Sequence, residues 1–173
     1  MSRSAFAGTL EGEARLLLLI DAFSGGQGTL QGRTKLAKLD FLLRYPKFFE
    51  RAMALRNVPT TVERDEAAEN SIAQRMVRYR YGPWDPAYYA LLGALVGRGL
   101  ITTIPDRNHL GFRVTERGHE VATELAEAEA WLAVTQRAKL LKRAFPSQTG
   151  SFLKRWIYDR FPEVTQASWG EQL

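Results

Sequence analysis

The sequence predicts a mainly α-helical fold with one short β-hairpin, and three observations support this class. Apolar residues recur at the spacing of a helical face in several segments. Two short β-type runs lie on either side of a turn at residues 105–108. The chain has 173 residues, of which 45% are hydrophobic and 25% are charged. These proportions are those of an ordinary globular protein with a substantial core.

Two leucine-rich segments in the first third of the chain are predicted to be helices. In residues 11–23 the apolar side chains follow the i, i+3, i+4, i+7 spacing of a buried helical face, and glycines after Ser24 end the helix. The second helix covers residues 32–45, and Pro46 marks its end or a kink because proline restricts the residue before it. Residues 48–56 are predicted to form a short helical continuation.

The stretch that follows carries weaker signals. Residues 57–71 are polar and acidic, and we interpret them as an insertion, either a loop or a weak helix. Residues 72–79 fit a helix, but their last residues alternate like a strand. Gly82 and Pro83 are typical of a turn.

A helix and two strands are predicted next. Asp85 has the chemistry of an N-cap for a third helix over residues 86–98, and Gly99 is suited to end it. Residues 100–104 and 109–114 then form the two β-type runs.

The last third of the chain is predicted to be helical. Thr115 begins a stretch that extends to Phe145 as one long helix or two. Residues 151–161 form a final amphipathic helix. We therefore divide the chain into a first domain over residues 1–125 and a helical extension used for assembly over residues 126–173.

The order of these elements is that of a winged helix-turn-helix core with additional C-terminal helices. The third helix takes the recognition position, and residues 101–114 form the wing. Base reading in a major groove requires Arg, Lys, Asn or Gln side chains. The third helix contains no Asn or Gln, and its one charged residue, Arg98, lies at its far end. We therefore do not expect it to read DNA sequence, and its small apolar face is better suited to packing against protein.

The net charge of +5 is concentrated at the two ends of the chain. Residues 1–60 hold nine basic and five acidic side chains, residues 61–130 hold eight and eleven, and residues 131–173 hold seven and three. A mild imbalance of this kind is typical of a solvated surface, and it also permits nonspecific contact with double-stranded DNA. The candidate phosphate contacts are Arg33, Lys35, Lys38, Arg107, Lys154 and Arg155.

The sequence lacks the residue patterns that thiol nucleophiles, metal sites and metal-dependent nucleases require. The chain has no cysteine, which removes disulfides, thiol nucleophiles and thiolate metal sites. His109 and His119 have no third ligand at a reliable spacing, and no E-x-K or D-x-K tripeptide is present for a nuclease. We therefore expect a protein that is not an enzyme and holds no metal or cofactor.

The sequence also indicates the cellular compartment of the protein. The longest aliphatic run, residues 16–20, is too short to cross a membrane, and acidic residues near the start argue against a secretory signal. We expect a cytoplasmic protein without a membrane partner, and the lack of disulfides agrees with a reducing compartment.

Aromatic and basic residues are concentrated in the final segment, where two interpretations stay open. The helix either folds back on its own core or docks on a partner, because aromatic and arginine side chains are typical interface anchors. The candidate docking residues are Phe152, Trp156, Ile157, Phe161 and Trp169.

Four stretches together resemble a group of bacterial winged-helix proteins: GRTKLAKLDFLLRYP (32–46), YRYGPWDPAYYALLGALVGRGLI (79–101), FRVTERGHEVA (112–122) and FLKRWIYDRFPEV (152–164). The last stretch favours a narrower resemblance, to the middle component of three-component ABC-ATPase conflict systems, the group that includes the Lamassu accessory subunit. The resemblance implies a non-enzymatic subunit that binds an SMC-like coiled-coil ATPase and an effector, often a nuclease, in defence against phage or plasmids. The alternative is a winged-helix transcription regulator that dimerises through residues 115–145.

Overall fold

A computed structural model describes residues 8–25, 27–61, 77–79 and 82–166. Within these ranges the chain forms eight helices and five strands, so the predicted mainly helical class is confirmed. The elements are α1 (Leu10–Ser24), β1 (Leu30–Gln31), α2 (Arg33–Arg44), α3 (Pro46–Leu55), β2 (Val77–Tyr79), β3 (Gly82–Trp84), α4 (Tyr88–Gly97), β4 (Ile101–Asp106), β5 (His109–Val114), α5 (Glu116–Glu127), α6 (Glu129–Ala144), α7 (Gly150–Arg160) and α8 (Pro162–Gln166).

The predicted wing is present as an antiparallel pair of β4 and β5, in which Thr103 lies opposite Phe112. Its turn contains Arg107 at φ 43°, in the left-handed region. The short strand β1 extends this pair into a three-stranded sheet of order β1-β5-β4, with Leu30 opposite Phe112. Strand β1 was not predicted, because a strand of two residues shows no periodicity in the sequence. Its pairing with β5 is what makes it a strand.

The first helices lie close to their predicted positions. Thr9 caps α1, since its side-chain oxygen accepts a hydrogen bond from the Gly12 amide at 3.0 Å. Pro46 marks a break after α2 and is also the first residue of α3, where its missing N–H costs no helical hydrogen bond. Ser24 joins α1 to the wing, because its buried hydroxyl donates to the Ile20 carbonyl and accepts from the Val114 amide.

The region before α4 differs in part from its prediction. Most of the predicted insertion and residues 72–76 lie outside the described residues. Residues 77–79 are a strand, as one of the two interpretations held, and they pair with β3. Gly82 and Pro83 were expected to form a turn and instead lie in β3. The carboxylate of Asp85 accepts from the Ala87 amide at 2.8 Å, and α4 begins slightly later than predicted, at Tyr88.

The long C-terminal helical stretch is divided at Ala128, whose extended backbone (φ −76°, ψ 130°) separates α5 from α6. A single hydrophobic cluster contains residues from both predicted segments of the chain, including Leu39 of α2, Leu141 of α6 and Ile157 of α7. Helix α7 therefore completes the core instead of projecting from it. None of the helices in the described ranges combines the length and apolar character that a membrane crossing requires.

Candidate functional site

Helix α4 is held in the recognition position by a buried polar network. The Asp40 carboxylate of α2 is fully buried and accepts hydrogen bonds from Arg15 Nε of α1 at 2.8 Å and from the Tyr88 hydroxyl of α4 at 2.7 Å. Arg44 Nη1 lies 3.6 Å from Asp40 Oδ2 and donates to Asp85 Oδ2 at 2.6 Å. Helices α1, α2 and α4 therefore meet at the Asp40 carboxylate, and Arg44 links it to the segment before α4.

The two arginines of this network stabilise the charged form of the Asp40 carboxylate. Burial alone would raise the pKa of Asp40, but the guanidinium groups of Arg15 and Arg44 hold that pKa below its ordinary value. Burial and the neighbouring Asp40 carboxylate raise the pKa of Tyr88 well above its usual range. The network therefore keeps a charged carboxylate and a neutral phenol, and its burial indicates a structural role.

The outward side of α4 forms a smooth apolar surface, which we call the α4 face. Tyr88, Leu91, Leu92 and Leu95 point into the core, so the remaining positions are displayed to solvent. The α4 face consists of Tyr89, Ala90, Gly93, Val96 and Gly97. The side chain of Tyr89 is 62% exposed, and a Cβ atom added at Gly93 or Gly97 would meet nothing within 4 Å. The phenol of Tyr89 is therefore the only side-chain hydrogen-bonding group on this face.

One predicted phosphate contact lies beside the α4 face. The Arg33 guanidinium, on the exposed first residue of α2, stacks over the Tyr89 ring at 5.1 Å. No carboxylate in the described part of the chain lies within ion-pair distance of Arg33. At the opposite end of α4, Arg98 Nε donates to Glu13 Oε2 at 2.8 Å. The face is therefore bordered by a cation at its start and by an ion pair at its end.

A polar cleft of about 220 Å³ lies next to Arg33, between residues 31–35, 108–110 and 149–151. The starts of α2 and α7 converge there, and no side chain caps α2. Gly150 permits their close approach, since a Cβ at this position would lie 2.9 Å from the Lys35 amide nitrogen. Amide groups at helix starts favour anions, exposed Arg33 lines this cleft, and Arg107 is exposed at the turn of the wing. This arrangement is compatible with contacts to a phosphate backbone.

Two other predicted phosphate contacts are corrected by their burial. Lys35 is 5% exposed and Lys38 is 1% exposed, so almost none of either side chain reaches the surface. Burial and the nearby Lys154 ammonium lower the pKa of Lys38 to about 7. The packing of α6 and α7 on α2 causes this burial. Lys154 is half-buried, with its ammonium 5.9 Å from the Tyr158 ring centroid, and Arg155 is exposed.

The predicted docking residues of the final helix mostly belong to the core. Ile157 and Phe161 are 0% exposed, so the prediction that they dock on a partner is corrected in favour of folding back. The Phe161 ring packs edge-on against Phe48 of α3 at 5.2 Å. Phe152 and Trp156 are half-buried against the same core, and Trp169 lies outside the described residues.

The two histidines have separate surroundings. His119 Nδ1 lies 2.7 Å from Asp21 Oδ1, which links α5 to α1, and this hydrogen bond raises the pKa of His119. His109 is exposed on the wing beside Gly32. In the ranges that the structure describes, no three acidic or histidine side chains are grouped as a metal site would require. Comparison with protein-family models, with curated proteins and with solved structures finds no match to this chain.

Proposed function

We propose that this protein is a non-enzymatic accessory subunit of an SMC-like ATPase defence complex. In this role it bridges the coiled-coil ATPase and an effector, which in such systems is often a nuclease. The sequence resemblance supplies the class of complex. The composition of the α4 face is the observation that supports the assembly role. A protein of this architecture that reads DNA sequence needs polar side chains on this face.

The α4 face lacks the groups that distinguish one base pair from another. Base readout uses bidentate donors and acceptors, and the residues here are one tyrosine, two glycines, one alanine and one valine. Glycine and alanine let another backbone approach closely, and tyrosine and arginine, here Tyr89 with Arg33 stacked on it, are enriched in protein interfaces. The α4 face therefore favours contact with protein.

Contact with DNA in this proposal is nonspecific and uses the phosphate backbone. The exposed residues Arg33 and Arg107 and the start of α2 provide positive charge without base specificity. The buried Lys35 and Lys38 are not assigned to this contact. A transcription regulator is the competing function, and it requires a defined operator sequence.

The assembly role is tested by copurification. The full chain, carrying an affinity tag, is expressed together with a candidate SMC-like coiled-coil ATPase from the same genome, and the lysate is treated with nuclease to remove bridging DNA. We expect the ATPase to be recovered in fixed stoichiometry with the tagged chain. Recovery of the chain without the ATPase, from cells in which both are abundant, would contradict the proposal.

The mode of DNA contact is tested by fluorescence anisotropy on duplexes of unrelated sequence. We expect weak binding without sequence preference. We expect Arg33→Ala to reduce the slope of the logarithm of the binding constant against the logarithm of the salt concentration by about one. Gly93→Asp places an acid on the α4 face, and it should change DNA affinity by less than about threefold, because α4 does not enter a groove. Tight binding to one palindromic site that Gly93→Asp abolishes would favour the regulator instead.

A further inference from the structure

An apolar groove of about 210 Å³ is lined by the start of α1, the end of α4 and the middle of α5, and we call it the α5 groove. Leu17 of α1 and Leu95 of α4 are each 1% exposed, so the core forms part of its lining. Leu10, which also lines it, is 72% exposed and is the most exposed large hydrophobic side chain in the described part of the chain. The groove therefore leaves apolar surface open to solvent.

The shape of the α5 groove fits a helix. On α1 the lining runs from Leu10 to Leu17, a distance of about 10 Å or two helical turns. On α5 it consists of Val121 and Leu125, which lie one turn apart. An incoming helix carries its apolar anchors at the same intervals of three, four and seven residues. Both walls are helices, so they offer no free strand edge to an extended peptide.

An acidic row follows α5 beside this groove. The row consists of Glu116, Glu120 and Glu124, which are exposed and recur at intervals of four, so they form one ridge. Val121 and Leu125 belong to the neighbouring ridge, because Glu124 is three residues after Val121 and directly before Leu125. Among the described residues, no cation lies within ion-pair distance of the three carboxylates of the row.

The basic groups near the α5 groove are fewer than its acids. Arg98 lines the groove, has a side chain that is 54% exposed and donates from Nε to Glu13 Oε2 at 2.8 Å. Arg117 is exposed on α5, within the acidic row's first turn. His119 is paired with Asp21 of α1. The rim is therefore positive at Arg98 and negative along the length of α5, although the whole chain carries a net charge of +5.

We propose that the α5 groove binds an amphipathic helix of a partner protein, with apolar side chains in the groove and lysine or arginine side chains along the acidic row. Charge complementarity of this kind selects a basic helix over an acidic one. The inference deepens the proposed function and rests on it for the class of complex, because a bridging subunit needs a second protein-binding surface besides the α4 face. The groove uses Leu95 and Arg98 of α4, which are not part of that face.

The proposal is tested with three fluorescent helical peptides and the full chain, by fluorescence anisotropy. The first peptide carries leucines along one face and lysines beside them. The second has glutamate in place of lysine, and the third has the same composition as the first with its leucines spread around the helix. We expect the first peptide to bind at least about tenfold more tightly than either control. Attraction to the net positive chain as a whole would favour the glutamate peptide instead.

Charge reversal in the acidic row separates local from overall charge. Glu120→Lys combined with Glu124→Lys should weaken binding of the lysine peptide about tenfold or more. Asp106→Lys combined with Asp159→Lys changes the net charge by the same amount at exposed positions outside the groove, and it should have little effect.

The apolar part of the contact is tested at Leu10. Leu10→Ser removes the exposed apolar side chain and should weaken binding about threefold or more. Leu55→Ser, at a leucine of α3 that is 46% exposed, is the matched control and should leave the affinity unchanged. Amide shifts in NMR spectra of the full chain should change on titration within residues 10–17 and 121–125.

Three results would overturn the proposal. One is equal affinity for the three peptides, or no binding of the first peptide up to about 1 mM. Another is binding that appears only when residues 1–7 are removed, which would assign the groove to the chain's own start. A third is a dimer that the peptide dissociates, which would assign it to a second copy. Peptide binding without ATPase copurification would overturn only the proposed function, and copurification without peptide binding only this inference.

Discussion

Replacing Asp40 by alanine is expected to lower the free energy of unfolding by about 3–5 kcal/mol, the range for removing one partner of a buried ion pair. The substitution would leave Arg15 and Arg44 beside α2 without the carboxylate that both contact, and the Tyr88 hydroxyl without its acceptor. Urea unfolding followed by circular dichroism measures this loss. Asp106→Asn, at an exposed carboxylate that contacts Gln31, is the matched control and should change stability by less than about 0.5 kcal/mol.

The same network gives stability a pH dependence with a defined sign. The pKa of Asp40 is lower in the folded state than in the unfolded chain, where an aspartate titrates near pH ~3.9. Its stabilisation is therefore complete above that value and is lost as the pH falls through the folded-state pKa. Asp40→Asn should flatten this acid-dependent loss. A loss below about 1 kcal/mol for Asp40→Ala at neutral pH would show that the network contributes little.

Gly118→Ala is expected to destabilise the protein by about 1–3 kcal/mol or more, through a steric clash in the first turn of α5. The added Cβ would overlap the Leu100 carbonyl oxygen and would lie 2.8 Å from the carbonyl carbon of Leu100 and 2.8 Å from Val114 Cγ2. That carbonyl also accepts the Thr115 amide at 3.0 Å, so it has little freedom to move. Thermal and urea unfolding would both report the loss.

The matched control for Gly118 is the same substitution at Gly93. Gly93 lies inside α4, and a Cβ there meets nothing within 4 Å. Gly93→Ala should therefore raise the free energy of unfolding by about 0.5–1 kcal/mol, because alanine restricts the unfolded chain and favours a helix. Equal effects at the two positions would contradict the steric account of Gly118.

Much of the fold could be predicted because its signals are local. The polar turn predicted at residues 105–108 and the cap residue Thr115 are visible in the sequence. Thr115 lies where it was predicted, whereas the turn is confined to residues 107–108, because Pro105 and Asp106 extend β4. One long helix or two was left open for residues 115–145, and the position of the break at Ala128 could not be predicted, because the residues around it all favour a helix. Both α5 and α6 pack against α1, and single-residue preference gives no sign of that tertiary contact.

The candidate site shows the same division between local and tertiary information. The apolar character of the α4 face followed from the absence of charged, Asn and Gln residues in the third helix before Arg98. The burial of Lys38 did not, since lysine is ordinarily exposed and the helices that cover it are distant in sequence. The fate of the final helix was open for the same reason, because aromatic residues serve equally as core and as interface.

The buried residues nearest the C-terminal end of the described chain have a consequence for biosynthesis. Ile157, Phe161 and Val164 are all buried, and Phe161 packs on Phe48, which is made more than a hundred residues earlier. A ribosome adds about 5–20 residues each second, so the early helices wait several seconds for these partners. During translation the part of α2 that packs against α7 stays uncovered until residues 150–164 have left the exit tunnel. Nascent chains stalled before that point should be recognised by chaperones as incomplete.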